Sequence, residues 1–169
     1  MSRLGRLRGR FYDRLRDSEA RSAATAALSS GALDALKHHQ YCLVVSYRRS
    51  GEAVPTPVWF AIEDGRLLFL SDAEAAKLKR IRANSRVRVA PCTARGKPLG
   101  PPIEATARLL ESAEDQQRAK RAIEAKYQPG DGRIYQRLLA PLLGSIGGRH
   151  AVYVEVSPVG LGPSVRGQA

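Results

Sequence analysis

The hydrophobic and polar positions of this chain change rhythm several times, and each change marks an element. Residues 41–47, YCLVVSY, are β-rich and run into Arg48-Arg49-Ser50-Gly51-Glu52, a turn. Apolar character resumes over 54–62, VPTPVWFAI, and breaks at Glu63-Asp64-Gly65-Arg66. Asp-Gly between two apolar runs is a hairpin signal, and 67–70 is the returning strand. These three runs predict an antiparallel meander. Pro55 and Pro57 have no N–H to give a ladder, so this part of the second strand is expected at an edge or against a ligand.

Residues 86–90, RVRVA, alternate strictly and predict a half-buried strand with its arginines on one face. Residues 91–102 hold six prolines and glycines and read as a loop, and 103–110 alternate again. Residues 111–127 are periodic at helical spacing and end at Gln128-Pro129-Gly130. A shorter helix is predicted over 133–143, broken by Gly147-Gly148, and a last strand over 151–156. Towards the N-terminus, the Ala- and Leu-rich stretch predicts a helix from Ser22 or Ser29 to His38. Six strands with few parallel crossovers favour a mainly β (α+β) fold, a small antiparallel barrel, over a doubly wound sheet.

Between the third and fourth strands lies a short segment with distinct chemistry. Ser71-Asp72-Ala73-Glu74 has the spacing of a capping box, which predicts a helix opening at Ser71. That helix carries Lys77, Lys79, Arg80 and Arg82. A helix N-terminus beside lysine and arginine suits a phosphate. From 77 to 97 there are eight basic residues and no acid, which focuses positive charge on this place.

Composition narrows the partners. The 169 residues suffice for one domain with one core, and 28 Lys and Arg against 16 Asp and Glu give a net charge of +12. Such a balance suits an anionic partner: a polyanionic small molecule, nucleic acid or an acidic membrane face. Between Arg80 and Lys97 no aromatic interleaves the basic residues, which counts against a single-strand nucleic-acid groove. Residues 1–21 hold seven arginines, with Leu4, Leu7, Phe11 and Leu15 at helical spacing. They read as a solvated arm or a helix packed on its own domain; a basic amphipathic helix on a membrane is the alternative. Residues 22–158 form the folded domain and 159–169 a tail. No apolar core follows the basic start and no run approaches a membrane span. Cys42 and Cys92 sit in apolar surroundings, as thiols of a reducing cytoplasm do. No metal-ligand spacing occurs among the three histidines and two cysteines. Glu104, Tyr127 and His150 are candidate proton donors, each more readily explained as structural.

Taken in order, several stretches resemble one family. They are TPVWF at 56–60, the Asp-Gly hairpin, the strand ending in Ser71, AKLKRI at 76–81, NSRV at 84–87 and APCTARG at 90–96. Together they are similar to the FMN-binding split-barrel superfamily, which includes the pyridoxamine 5'-phosphate oxidases. The deazaflavin branch, the coenzyme F420-dependent oxidoreductases, is the nearer likeness. The resemblance spans about 40–158. It implies a six-stranded antiparallel split barrel with a short basic helix after strand 3 and a helical excursion before the last strand. It implies a homodimer with a cofactor in each of two clefts at the subunit interface. By resemblance, Ser71, Lys77 and Arg80 hold the cofactor phosphate. Thr56, Pro57, Val58, Trp59 and Phe60 lie along the ring, and Ala90, Pro91 and Cys92 approach the cleft. Val58 and Phe60 share one strand face and Trp59 takes the other, so Trp59 is expected against the core or a second subunit. F420 carries an oligoglutamate tail beyond its phosphate, and the surplus cations Lys79, Arg80, Arg82, Arg86 and Arg88 favour it over FMN, the alternative. The expected function is F420-dependent reduction of a small molecule whose identity the loop residues 93–102 do not disclose.

Overall fold

A computed structural model describes residues 17–29, 31–127 and 151–159. Its strands are β1 (Tyr41–Tyr47), β2 (Ala53–Glu63), β3 (Arg66–Asp72), β4 (Arg86–Cys92), β5 (Ile103–Leu109) and β6 (Ala151–Pro158). Two α-helices accompany them, α1 (Ala76–Ala83) and α2 (Ala113–Tyr127), with 3-10 turns at Ser18–Ala24 and Leu33–Leu36. The strands close into a barrel in the order β1-β2-β3-β6-β5-β4, every neighbouring pair antiparallel. The six-stranded antiparallel barrel expected from the pattern is present, with α1 after β3 and α2 before β6. The expected helix at 133–143, residues 1–16 of the arm and 160–169 of the tail lie outside the described residues. Among the described residues, no helix is long and apolar enough to cross a membrane.

Alternation along each strand builds the barrel interior. Val44, Phe60, Leu67, Phe69, Val87, Val89, Val154 and Val156 point inward and are fully buried. Leu33 and Leu36 close the end where β1 starts, and Leu78 and Ile81 of α1 close the end where β3 finishes. The β2–β3 hairpin turns on Asp64 and Gly65, both at positive φ (50° and 70°), the geometry that Asp-Gly favours.

The outer faces are covered in two places. Ala119, Ile123 and Tyr127 of α2 pack on Ala61, Leu68, Leu110 and Tyr153. Ala20 and Ala23 of the first 3-10 turn pack on Leu43, Val45, Ala90 and Cys92. This corrects the single helix expected between Ser22 or Ser29 and His38. The residues fully buried there are Ala20, Ala23, Leu33 and Leu36, and their spacing of three eclipses in a 3-10 turn. Between the turns, Ser29 breaks the path: its N–H donates to the Pro102 carbonyl (2.8 Å) and its Oγ accepts from Gly31 N–H (3.0 Å).

Cys42 and Cys92 are both buried free thiols. They neighbour each other across the β1–β4 pair, where Cys42 faces Pro91 and Tyr41 faces Cys92. Cys42 points into the barrel and Cys92 to the outer face, so the sheet itself separates the two sulfurs.

One side chain locks α2 to the barrel. Tyr127 Oη accepts from Phe60 N–H (3.1 Å) and lies 2.6 Å from the Gln40 carbonyl and 3.1 Å from the Phe60 carbonyl. Tyr41 pairs with Trp59, so Gln40 and Phe60 are the next residues out, where β1 and β2 diverge. The phenol thus replaces one rung of the ladder. Tyr127→Phe leaves the Phe60 N–H buried without this acceptor. Unfolding in urea should show a loss of about 1–3 kcal/mol relative to the parent.

Candidate functional site

The barrel is split along β2. β2 and β3 pair only from Phe60↔Phe69 to Glu63↔Arg66, whereas β3 pairs with β6 from Leu67 to Asp72. Continued, the β2–β3 register would set Val58 opposite Ser71 and Pro57 opposite Asp72. There the two strands have parted. The edge expected from Pro55 and Pro57 is this parting.

The direction of the backbone explains it. Phe60 N–H meets Tyr127 Oη beside Gln40, so it points towards β1. The Val54 carbonyl, which accepts from Ser46 Oγ (3.5 Å), also points towards β1. Alternation then turns the backbone N and C=O of Pro55, Pro57 and Trp59 towards β3. At 55 and 57 there is no N–H to offer, so β3 finds no ladder to join. What remains at this edge is the Trp59 N–H flanked by the carbonyls of Pro57 and Trp59. A planar heterocycle with alternating donors and acceptors matches such an edge.

Ser71 and α1 stand across the gap. Ser71 is 2% exposed and still in the strand, paired with Val152, and its Oγ donates to the Asp72 carbonyl (3.3 Å). The capping box is therefore corrected. Asp72 Oδ1 accepts from Glu74 N–H (2.8 Å), and α1 begins later, at Ala76, with Ala75 as an N-cap that has no side-chain hydrogen bond to give. Asp72, being one residue nearer, outcompetes Ser71 for the turn. The helix start next to Ser71 and Lys77 thus has no capping side chain, as an anion site requires.

On α1, Leu78 and Ile81 are buried, and the cations flank them in two rows. At 100° per residue, Lys77 and Arg80 fall on one side of the apolar stripe and Lys79 and Arg82 towards the other. Arg80 Nε donates to Ser46 Oγ (2.9 Å), a buried hydroxyl near the end of β1.

The remaining expected residues divide by face. Thr56, Val58 and Phe60 point inward, with Val58 and Phe60 in the core. Pro57 and Trp59 point outward. Trp59 packs between Tyr41 (ring centroids 6.2 Å apart) and Tyr127 (6.3 Å), under the end of α2. Ala90, Pro91 and Cys92 lie on β4, which β1 separates from β2. Ala90 and Cys92 are covered by the first 3-10 turn. Ser71 stands on β3 across the split from the Thr56–Trp59 edge, α1 packs on β1 and β5, and Ala90 to Cys92 sit one strand away.

The basic stretch 77–97 does not act as one field. Alternation puts Val87 and Val89 inside and sends Arg86 and Arg88 outward. There Arg86 pairs with Glu104, and Arg88 donates to the Ala24 carbonyl, tying down the N-terminal segment. Lys97 pairs with Glu19 (3.0 Å). These three cations belong to the scaffold. A second scaffold network sits on the outer face, where the buried Glu155 meets Arg66, Arg108 and Arg118 at 3.4, 2.9 and 2.8 Å.

The comparisons agree with this architecture. The family model for pyridoxamine 5'-phosphate oxidase matches residues 30–141, about two-thirds of the chain. The chain belongs to the pyridoxamine 5'-phosphate oxidase family. No curated protein matches the sequence. Among solved structures, a candidate pyridoxamine 5'-phosphate oxidase of Listeria innocua superposes with a TM-score of 0.51 at 21% identity, covering 75% of this chain and 90% of that one. A conserved hypothetical protein of Mycobacterium tuberculosis gives 0.52 at 14% identity, covering 91% and 98%. The heme storage protein HutZ of Vibrio cholerae gives 0.51 at 10% identity, covering 74% and 85%. At these identities the likeness is one of fold.

In this member of the pyridoxamine 5'-phosphate oxidase family, the candidate proton donors are held in structural roles. Glu104 pairs with Arg86, and Tyr127 bridges β1 and β2, its phenol pushed well up by burial. His150 lies outside the described residues. Burial also raises both thiols, Cys92 to about 12. Among the described residues, no group of three His, Cys, Asp or Glu side chains is placed to hold a metal.

Sequence reasoning missed Lys126, which the helix pattern shows only as one polar residue among many. Its Nζ lies 3.5 Å from the Phe60 ring centroid and donates to the His39 carbonyl (2.8 Å). Burial pulls its pKa down from 10.5 to about 8. The ring face and the carbonyl favour the ammonium and oppose that pull. The folded pKa lies below the unfolded one, so between them the unfolded chain binds more protons and stability rises with pH. Below about pH 8 both states are protonated and the cost of burying the charge is fully present. The stability of the parent relative to Lys126→Met should be flat below pH 8 and climb towards pH 10.5. Denaturant titrations at pH 7.0, 8.5 and 9.5 check the slope and its sign.

Proposed function

We propose that this chain is an oxidoreductase that holds coenzyme F420 in the split and uses it to reduce a small molecule. The observation that carries this reading is the parting of β2 from β3, with an uncapped basic helix at its mouth. A redox ring fits the Pro57–Trp59 edge, and a phosphate fits the start of α1 between Ser71, Lys77 and Arg80. The outer row, Lys79 and Arg82, suits the carboxylates that follow the phosphate in F420. When bound, the deazaflavin supplies a hydride to an electrophilic carbon of substrate. The chain's own residues bind and orient. The β2 edge fixes the ring plane by backbone groups, α1 holds the phosphate, and Val58 and Phe60 keep the barrel behind the edge dry. Tyr127, Glu104 and the two thiols are engaged or suppressed, which favours solvent over these side chains as the source of the proton that completes the reduction. A second copy of the chain covering the open edge completes the site, as a homodimer.

FMN is the second reading. Arg86 and Arg88 serve the scaffold, which removes two of the cations an oligoglutamate tail would use, and FMN ends at its phosphate. Fluorescence titration with F420 and with FMN decides between them. Lys77→Ala and Arg80→Ala should each weaken the bound cofactor about tenfold or more, the loss of one charge-assisted hydrogen bond. Lys79→Ala/Arg82→Ala should weaken F420 but leave FMN unchanged. Yellow protein as purified, with no F420 binding, selects FMN. Indifference of both cofactors to Lys77 and Arg80 rejects the phosphate site.

A further inference from the structure

Two turns from elsewhere in the chain grip the outer face of the β2 edge. In register, Pro57 stands opposite Leu43, and Leu43 opposite Ala90, so the three form a row across β2, β1 and β4. They share the outer face, where Leu43 and Ala90 pack with Ala20 of the first 3-10 turn. The turn 93–97 folds back over this row. Gly96 N–H donates to the Thr93 carbonyl (2.9 Å), Thr93 N–H donates to the Lys97 carbonyl (3.0 Å), and Cys92 bridges to Pro98. Gly96 is buried and has φ +86°. A Cβ placed on it would lie 3.4 Å from Leu43 Cδ1 and 3.7 Å from both Ala20 Cβ and Pro57 Cδ.

The 3-10 turn is fastened to the same place. Asp17 N–H donates to the Arg95 carbonyl (2.8 Å), and Lys97 pairs with Glu19 at 3.0 Å. The far end of the turn is held by Arg88 through the Ala24 carbonyl. Between these ties the turn packs on β2, β4 and β1. The grip matters because of the split. From Pro55 to Pro57, β2 pairs with β1, while its pairing with β3 starts only at Phe60. A strand laddered on one side is located by that ladder and by what packs on its two faces. At Pro57 the packing on the outer face comes from Gly96.

We infer that the two turns form an outer clasp that fixes the Pro57–Trp59 edge relative to Ser71, with Gly96 as its positioning residue. The inference rests on the proposed redox site, because it takes this edge as the seat of the ring. Glycine at 96 supplies both the left-handed backbone and the close approach. A larger residue there pushes back Leu43 and Pro57, and so moves the edge without itself touching the ligand.

The test uses the full chain and its single tryptophan, Trp59, which lies two residues from Pro57 on the same edge. Gly51, in the β1–β2 hairpin, is a matched control: its φ is +84°, and a Cβ there meets nothing within 4 Å among the described residues. Asn tolerates positive φ, so Gly51→Asn and Gly96→Asn make the same demand on the backbone and differ in crowding. Gly51→Asn should keep the Trp59 emission, acrylamide quenching and F420 affinity of the parent. Gly96→Asn should change the quenching constant about twofold and weaken F420 about tenfold or more. Adding Leu43→Val, which withdraws the nearest methyl, should restore most of both. Circular dichroism checks folding; if Gly96→Asn does not fold, Gly96→Ala and Gly51→Ala are compared by the same readouts. A Trp59 response to Gly96→Asn alone, in a chain that binds neither F420 nor FMN, upholds the clasp while the cofactor assignment fails. Equal responses to Gly51→Asn and Gly96→Asn, no restoration by Leu43→Val, or F420 bound equally well by the parent and Gly96→Asn overturns the clasp.

Discussion

The structure depends on a bond that is not made. A closed six-stranded barrel pairs each strand along both edges, but β2 turns the nitrogens of Pro55 and Pro57 towards β3. Pro57, which the register would set opposite Asp72, has no donor for a rung there, and the Trp59 N–H is left facing the opening. The barrel survives because the other seams are continuous and because β3 pairs with β6 from Leu67 to Asp72. An edge made by proline also resists strand addition by another chain, because the same donors are missing for any newcomer. The opening thus suits a small flat ligand more than a peptide.

Holding a split barrel in shape requires support from outside the sheet. α2 supplies it at the closed end of β2. Tyr127 reaches between β1 and β2, Trp59 packs on its ring, and Lys126 lies over Phe60 from the next position along the helix. On the other outer face the first 3-10 turn covers Leu43 and Ala90, tied by Arg88, by Lys97 with Glu19 and by Asp17 N–H to the Arg95 carbonyl (2.8 Å). Both supports act on strands next to the split, so its width is set by packing on the outer face as much as by the barrel interior.

Most of the architecture was legible in the sequence because β alternation and turn chemistry are local. Val87 and Val89 between arginines, Asp64-Gly65 between apolar runs and the two prolines of β2 each pointed to what the structure shows. The first helix was misread because Ala and Leu favour helix in isolation, while here the surface offered to them is small and the serines between them bond to backbone instead. The capping box failed for a similar reason: spacing alone cannot tell whether Ser71 or Asp72 wins the turn. Tyr127 was noticed as a phenol, but its role depends on Gln40 and Phe60, which only the fold brings together.

The same distinction bears on charge. A run of eight cations without an acid suggested one positive field, yet β4 is a strand, and its alternation sends Arg86 and Arg88 away from the end that α1 covers. Their carbonyl and carboxylate partners come from Ala24 and Glu104, far off in sequence. What remains near the split is a helix of eight residues carrying four cations in two rows, with Arg80 oriented by Ser46. Net charge of +12 therefore overstates the field at α1, because Arg86, Arg88 and Lys97 are engaged in tying together segments distant in sequence.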